Sequence, residues 1–433
     1  MEQERVVDEV ITTALRNLTN KLNKVSKKFS AGFKIRKVPE HLRTENVKAY
    51  EPQIIAIGPL TRHLLDNKTH LAEMEKHKVL YLNKRLHGDL SGLKTYLVAM
   101  RQSQENARRC YAEPLPKMHP FEFLEMLVLD ACFIIELFRK FKLDEWDDDD
   151  AVFKTSWVRK KLGRDLLLAD NQLPLFVLQE FYDNTEMPQQ DRERNFQDLI
   201  LGFFSKVLPV QLFEVSKIEP VSNLSNYQHL LGFIHNKVPG IICPDRRENW
   251  NFIVSATNLK EAGIKFEKIE GESLLSIYFD KDDGIMKIPA LTIDDDTESF
   301  FRNISVYEQF FPIDAYAPFI NYLKFMDCLI NTAKDVELLC ENKILHNCLG
   351  DDEVVANMFN RLGDSVALPL YNFYGDRFHN VNEYCDRHWK RWIANLRHNY
   401  FNTPWAIISV FAALFLLILT LTQTVFSVLA YFQ

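Results

Sequence analysis

The chain has 433 residues, of which 47% are apolar and 32 are phenylalanine, and its net charge is −7. Such a composition supports a large aromatic core and excludes a disordered chain, while the negative balance supplies no field that would draw it to nucleic acid. Its seven cysteines are dispersed, with no Cys-x-x-Cys pair, and read as reduced, mostly buried thiols.

Residues 1–10 carry Glu2, Glu4, Arg5, Asp8 and Glu9 and no apolar run, so no cleaved signal peptide is expected. Ile11, Leu15, Leu18, Leu22, Val25 and Phe29 then recur at steps of three and four, which predicts an amphipathic helix within 1–34. Its other face is basic, through Arg16, Lys21, Lys24, Lys27 and Lys28. Packing on the chain's own body is favoured for this helix over anionic lipid or a partner helix. A mainly helical body is expected from 35 to 398.

Pro39, Pro52 and Pro59 forbid a continuous helix, and Gln53–Ile57 has the β-branched content of a short strand or extended segment. A long helical pattern follows from about Leu71 to Tyr96, with Met74, Lys78, Tyr81 and Leu82 near helical spacing. His63, His70 and His77 recur every seven residues, but that step is about 10.5 Å along a helix, too long for one ion. Cys385 and His388 have half a zinc site's spacing and no second half. No metal and no cofactor are expected.

The stretch Phe121–Phe141 is apolar almost all round, as a helix buried on most sides would be. Asp130 and Glu136 within it lie roughly 120° apart around the axis and cannot work as an acid/base pair. Glu136 is spaced to pair with Lys140, and Asp130 is expected to meet a buried donor. The acidic run Asp144–Asp150 reads as a solvated loop and lacks the glycine and distal glutamate of a calcium loop.

Pro174 divides Asp165–Tyr182 into a helix, a break and a second helix. Asp170, Asn171 and Gln172 place polar groups beside apolar walls at that break. With Asp130 they form the candidate pocket, although side chains of these types more often satisfy backbone groups freed where a helix stops. Ala256–Phe266 reads as a helix stopped by Gly263, and residues 274–289 carry a hairpin signal around Asp280–Gly284. Helical spacing resumes from Glu298 to Cys348 and again toward Arg397. There is no phosphate-binding glycine loop, no nucleophile elbow and no metalloprotease motif.

After Arg397 no Asp, Glu, Lys or Arg occurs, and Trp405–Phe432 exceeds the roughly 20 apolar residues that span a bilayer. A single transmembrane helix is therefore expected within 399–433, with the body held at a membrane, the plasma membrane in preference to the endoplasmic reticulum. Arg387, Lys390, Arg391 and Arg397 put the body on the cytosolic side; the glycosylation-type triplets at Asn17, Asn67, Asn223 and Asn303 are then chance matches. Trp405 marks the interface. Ser409, Ala413, Thr420, Gln423, Thr424 and Ser427 fall near one face, a pattern that favours helix association in lipid and hence a homo-oligomer.

Taken together, several motifs resemble the plant family called domain of unknown function 247, also known as uncharacterised protein family 0481. They include Ile35-x-x-Val38-Pro39, Tyr50-x-Pro52 through Ile57-Gly58-Pro59, Met74-Glu75-x-x-Lys78 and Arg109-Cys110-Tyr111. Further along stand Leu129-Asp130-x-Cys132-Phe133, Asp165-Leu166-Leu167-Leu168 with Asn171-Gln172-x-Pro174, Ala256-Thr257-x-Leu259-x-x-Ala262-Gly263, Arg302-Asn303, Phe325-Met326-Asp327-x-Leu329-Ile330 and the tail Tyr400-Phe401-x-x-Pro404-Trp405. Ala131 replaces the family's usual glycine and Asp170 its usual glutamate, and the histidine pair expected after Gly58-Pro59 is reduced to His63.

The resemblance implies a mostly helical plant protein, usually with one C-terminal span and with no established enzymatic activity. Some grass members look like determinants of pollen self-incompatibility, which suggests by analogy a module for recognition, signalling or interaction with a protein partner. An enzyme with a site near Asp130 and Asn171 is the first alternative, and an oligomeric channel component the second.

Overall fold

The computed structural model describes residues 13–19, 34–185 except 89, 114, 116–117, 145 and 147–149, then 195–208, 224, 227–238, 250–312, 316–400 and 404–431. Side chains are described to 387 and again over 412–425. Of the expected N-terminal helix, residues 13–19 are helical, with Leu15 and Leu18 exposed; the rest lies outside the described residues.

The first half is built around the apolar run identified in the sequence. It becomes helix α3 (Pro120–Leu143), following α1 (Thr69–Leu86) and α2 (Leu90–Arg109). Pro120 presets the first turn of α3, and the Glu122 carboxylate accepts the His119 N–H at 2.8 Å, satisfying one of the orphan donors there. Because α3 is apolar on nearly every side, it can be surrounded, and α1, α2, α5 (Leu175–Asp183) and α6 (Phe196–Val207) all pack on it. Aromatic pairs fill the joints: Phe138 and Phe141 meet Phe203 at 4.9 and 5.0 Å, and Phe133 meets Tyr81 at 4.9 Å.

Between α3 and α5 lies α4 (Ser156–Asp165), and α7 (Leu230–Lys237) follows α6. The helical pattern from Leu71 to Tyr96 is broken in the structure at His87 and Gly88. Both residues take left-handed backbone angles, so the chain turns between α1 and α2. Glu136 pairs with Arg139 at 2.6 Å instead of Lys140, whose ammonium goes to Asp150 at 2.6 Å.

The second half opens on a short helix, Ala256–Glu261, closed at Gly263. A three-stranded sheet follows in the order β1 (Lys265–Ile269), β3 (Ile285–Pro289), β2 (Tyr278–Asp280). The hairpin pair β2 and β3 is antiparallel, with Tyr278 opposite Lys287, and β1 lies parallel to β3. Gly284 at φ +67° closes the turn; a Cβ there would collide with the Tyr384 hydroxyl, so only glycine fits. β4 (Leu291–Ile293) pairs in parallel with β5 (Leu345–Asn347).

Helices α8 (Thr297–Gln309), α9 (Pro318–Leu329), α10 (Ala333–Glu341), α11 (Asp352–Asp364) and α12 (Gly375–Tyr400) complete this half. Phe325 of α9 stacks on Phe378 of α12 at 5.6 Å. Buried apolar residues from Ile35 to Val381 join in one contiguous cluster. With 62% helix among the described residues and few strands, the protein is mainly helical.

The transmembrane anchor expected within 399–433 is not upheld. The last helix is α13 (Pro404–Tyr431). Among the described residues no helix is long and apolar enough to cross a membrane. Part of the association face expected on it lies outside the described side chains. Trp405, Ser409 and Ser427 have side chains outside the described residues, while Ala413, Thr420, Gln423 and Thr424 are exposed. The Thr420 and Thr424 hydroxyls donate within their own helix, to the Leu416 and Thr420 carbonyls at 2.7 Å.

One carboxylate in the second half carries a pH prediction. Asp327 of α9 lies against Gly363 of α11, and its burial, opposed by Lys324 and reinforced by Asp364, pushes its pKa from 3.8 up to about 6. The folded state therefore holds this proton more tightly than the unfolded chain does, so its contribution to stability is full below about pH 4 and is lost as pH rises to about 6. Asp327→Asn is expected to stabilise the protein by roughly 1 kcal/mol at pH 7.5, after discounting for solvent screening, and by almost nothing at pH 4. Thermal melts of both proteins at the two pH values check the difference.

Candidate functional site

The segment Gln53–Gly58 joins no sheet: the chain bends at Gln53, Ile54 and Gly58 and is irregular between them. Buried backbone groups must still find partners, and here side chains supply them. The Asp165 carboxylate, at the end of α4, accepts the Gln53, Ile54 and Ile55 N–H groups at 2.9, 2.6 and 3.1 Å through a single oxygen. Its other oxygen takes Arg164 at 2.7 Å. Burial raises the Asp165 pKa, and Arg164 and the three N–H groups work against that rise.

Asn171 continues the pattern. Its oxygen accepts the Ile57 N–H at 2.6 Å and the Thr61 hydroxyl at 2.8 Å, and its amide donates to the Ile55 and Asp165 carbonyls at 3.0 and 2.9 Å. Lys78 of α1 reaches the Ala56 carbonyl and Asp130 of α3, both at 2.6 Å, and Asp130 in turn accepts the Gly58 N–H at 2.8 Å. Glu75 lies 2.5 Å from the Lys78 ammonium as an ion pair, without hydrogen-bond alignment. Gly58 sits at φ +71°, and a Cβ there would come 2.6 Å from the Gln172 carbonyl oxygen, so the close crossing of the two segments requires glycine.

Of the candidate pocket residues, Asp130, Asn171 and Gln172 thus meet around this one strap, all at most 1% exposed. The Gln172 amide donates to the Leu166 and Leu168 carbonyls at 2.7 and 2.9 Å, and its oxygen accepts the Leu231 N–H at 3.3 Å. Those carbonyls are available because Leu166–Asp170 forms turns, where the sequence suggested helix up to Asn171. Asp170 faces the other way and accepts the Val38 N–H at 2.6 Å while pairing with Arg43. Its pKa is raised by burial and lowered by Arg43.

The same break carries a second feature, one that sequence reasoning missed. Ala169, whose N–H is held by Asn303 of α8 at 2.9 Å, lines a cavity of about 410 Å³. Tyr307, Phe310 and Phe311 give it aromatic walls, His229 and Leu231 come from the start of α7, and Lys34 and Arg36 stand on its rim. The exposed Arg36 guanidinium lies 5.6 Å from the Phe310 ring.

His229 is 4% exposed and caps α7 by accepting the Gly232 N–H on Nδ1 at 3.2 Å. That bond puts the ring proton on Nε2. Among the described residues Nε2 has no hydrogen-bond partner, and His229 is one of the residues that line the cavity. Burial lowers the His229 pKa to about 3, so the imidazole is neutral at physiological pH. The Tyr307 ring packs edge-on at 5.2 Å, and burial raises its pKa. No sequence signal pointed here: position 34, position 229 and position 307 are far apart, and none belongs to a spaced motif.

A family model described as a plant protein of unknown function, domain of unknown function 247, matches residues 35–419. The chain belongs to this family. It is similar to the UPF0481 protein At3g47200 of Arabidopsis thaliana, with 28% identity covering 91% of this chain and 86% of that protein. It is also similar to the putative UPF0481 protein At3g02645 of the same plant, at 23% identity over 89% of this chain and 88% of the relative. No solved structure matches the chain. The strap residues Asp130, Asp165, Asn171 and Gln172, the glycine at 58 and every lining residue of the cavity except Lys34 fall inside the span that the family model matches.

Proposed function

We propose that this family member is a recognition module that binds a small molecule in the cavity between α7, the end of α8 and the segment at Lys34–Arg36, and passes it on unchanged. The observation that carries this reading is the Nε2–H of His229, a donor on a buried ring that has no partner among the described residues and lines an aromatic-walled space. A preformed, mostly apolar cavity with a few polar groups is the usual form of a ligand site, and its volume lies within the usual range.

An enzyme acting through Asp130 and Asn171 fits less well. Both oxygens of Asp130 and all the polar atoms of Asn171 are engaged in holding the strap, so catalysis there would have to break the fold. The channel reading depended on a membrane span. The self-recognition role suggested by the family resemblance would be one form of ligand-dependent signalling.

The test is a thermal-shift and calorimetric screen of the full chain against a chemically diverse small-molecule panel, repeated on Ala169→Phe, which fills the cavity. Binders of the wild type should lose at least tenfold in affinity on Ala169→Phe, a loss of about 1.4 kcal/mol, and should be recovered intact after incubation. Phe310→Trp, at the half-exposed wall, serves as a second variant if Ala169→Phe fails to fold. A panel without a binder, binders indifferent to both substitutions, or a ligand recovered chemically altered would each overturn the reading.

A further inference from the structure

The cavity's polar groups differ in kind between its inside and its rim, and the difference restricts what can occupy it. Inside, the His229 imidazole has one donor to offer, its Nε2–H, because Nδ1 already accepts the Gly232 N–H. A carboxylate buried against a neutral donor alone would lose more in desolvation than that bond returns. At the rim stand two cations, the exposed Arg36 over the Phe310 ring and Lys34 beside it. A carboxylate held there keeps part of its hydration and gains a charge-assisted bond. Between the two ends, Tyr307, Phe310 and Phe311 offer ring faces and edges.

We infer that the ligand is a flat apolar organic acid with a neutral oxygen acceptor at the end opposite its carboxylate. The acceptor oxygen takes the Nε2–H of His229, the ring system lies among Tyr307, Phe310 and Phe311, and the carboxylate stays at the mouth with Arg36 and Lys34. This inference rests on the proposed recognition function and specifies the ligand class of that same site. Arg36 then sets the preference for an acid over an ester, and His229 sets the preference for an inward oxygen over a hydrocarbon group of the same shape.

The experiment is isothermal calorimetry on the full chain with three probes: 6-acetyl-2-naphthoate, its methyl ester, and 6-isopropyl-2-naphthoate. The keto acid should bind tightest, with the ester and the isopropyl acid each weaker by roughly tenfold. Arg36→Gln, on an exposed side chain, should abolish the discrimination against the ester and leave that against the isopropyl acid. His229→Asn preserves the helix cap, since asparagine accepts the same backbone N–H, but withdraws the Nε2 donor; it should abolish only the second discrimination. Raising salt should weaken the acids and leave the ester unchanged.

Equal binding of all three probes, or discrimination that survives both substitutions, overturns the ligand class while the cavity remains a binding site. The ligand class is equally overturned if none of the three binds to a chain that binds other molecules from the panel. If no small molecule of any class binds, the recognition reading falls with it.

Discussion

Asp165→Ala is expected to cost the protein about 5 kcal/mol, enough to leave much of it unfolded. The substitution removes the acceptor of three backbone N–H groups, of which that of Ile55 is fully buried, and leaves the nearly sealed Arg164 guanidinium with only the more distant Asp296 carboxylate, at 3.8 Å, as its counter-charge. Each orphaned donor costs about 1–3 kcal/mol, and leaving one partner of a buried ion pair unmatched costs about 3–5 kcal/mol. These overlap, since Arg164 also donates to the Glu51 and Lys48 carbonyls at 3.0 and 2.5 Å and keeps those bonds. Asp165→Asn retains one oxygen for the strap and should lose about half as much. Urea denaturation of the three proteins measures the order. A midpoint for Asp165→Ala within error of the wild type would show that the strap is held by something other than this carboxylate.

Lys78→Met should destabilise the protein by about 4 kcal/mol. The lysine is completely buried and neutralises Asp130, also completely buried, at 2.6 Å. Without it Asp130 is a charge in the core with only the Gly58 N–H to satisfy it, and the Ala56 carbonyl loses its donor. Asp130→Leu should cost less, because Lys78 keeps Glu75 at 2.5 Å and the Ala56 carbonyl while the Gly58 N–H loses its acceptor. The double variant tests the physical account. If the cost of each single change is largely the stranded partner, the two together should destabilise by at least 2 kcal/mol less than their sum. Full recovery is not expected, because Gly58 N–H and Ala56 carbonyl remain orphaned. Additive losses in chemical denaturation would rule out a coupled pair.

These two predictions concern residues whose chemical type stood out in the sequence and whose role did not. Asp130, Asn171 and Gln172 are polar residues inside apolar runs, which signals a buried partner without naming it. For Asp130 and Asn171 the partners turned out to include the backbone of a segment roughly 70 to 115 residues away in the chain, and for Gln172 the Leu166 and Leu168 carbonyls and the Leu231 N–H. A hydrogen bond between a side chain and a distant N–H leaves no periodic trace in either stretch.

The same contrast runs through the elements. Helix α3 was legible from its apolar run, the β2–β3 hairpin from its Asp280–Gly284 turn, and the family from motifs spread over most of the chain, because propensity, turn geometry and local patterning are properties of neighbouring residues. The turn between α1 and α2 was less so, since one Gly88 in a long helical pattern does not by itself announce a break.

The membrane anchor was expected from the length of the uncharged apolar stretch after Arg397; a helix does form over Pro404–Tyr431, but among the described residues no helix is long and apolar enough to cross a membrane. The Glu136 partner, the strap and the cavity could be decided only by the tertiary structure. Each requires residues from several separate elements to arrive at one place: Lys140 is spaced correctly for Glu136 but Asp150 is closer to it in the fold, and the cavity borrows a histidine, three aromatic rings and two cations from three parts of the chain. Short-range pattern therefore determined the helices, the hairpin and the family of this protein. The buried polar bonds and the space left between elements depended on which surfaces finally met, since packing and desolvation act across space and not along the sequence.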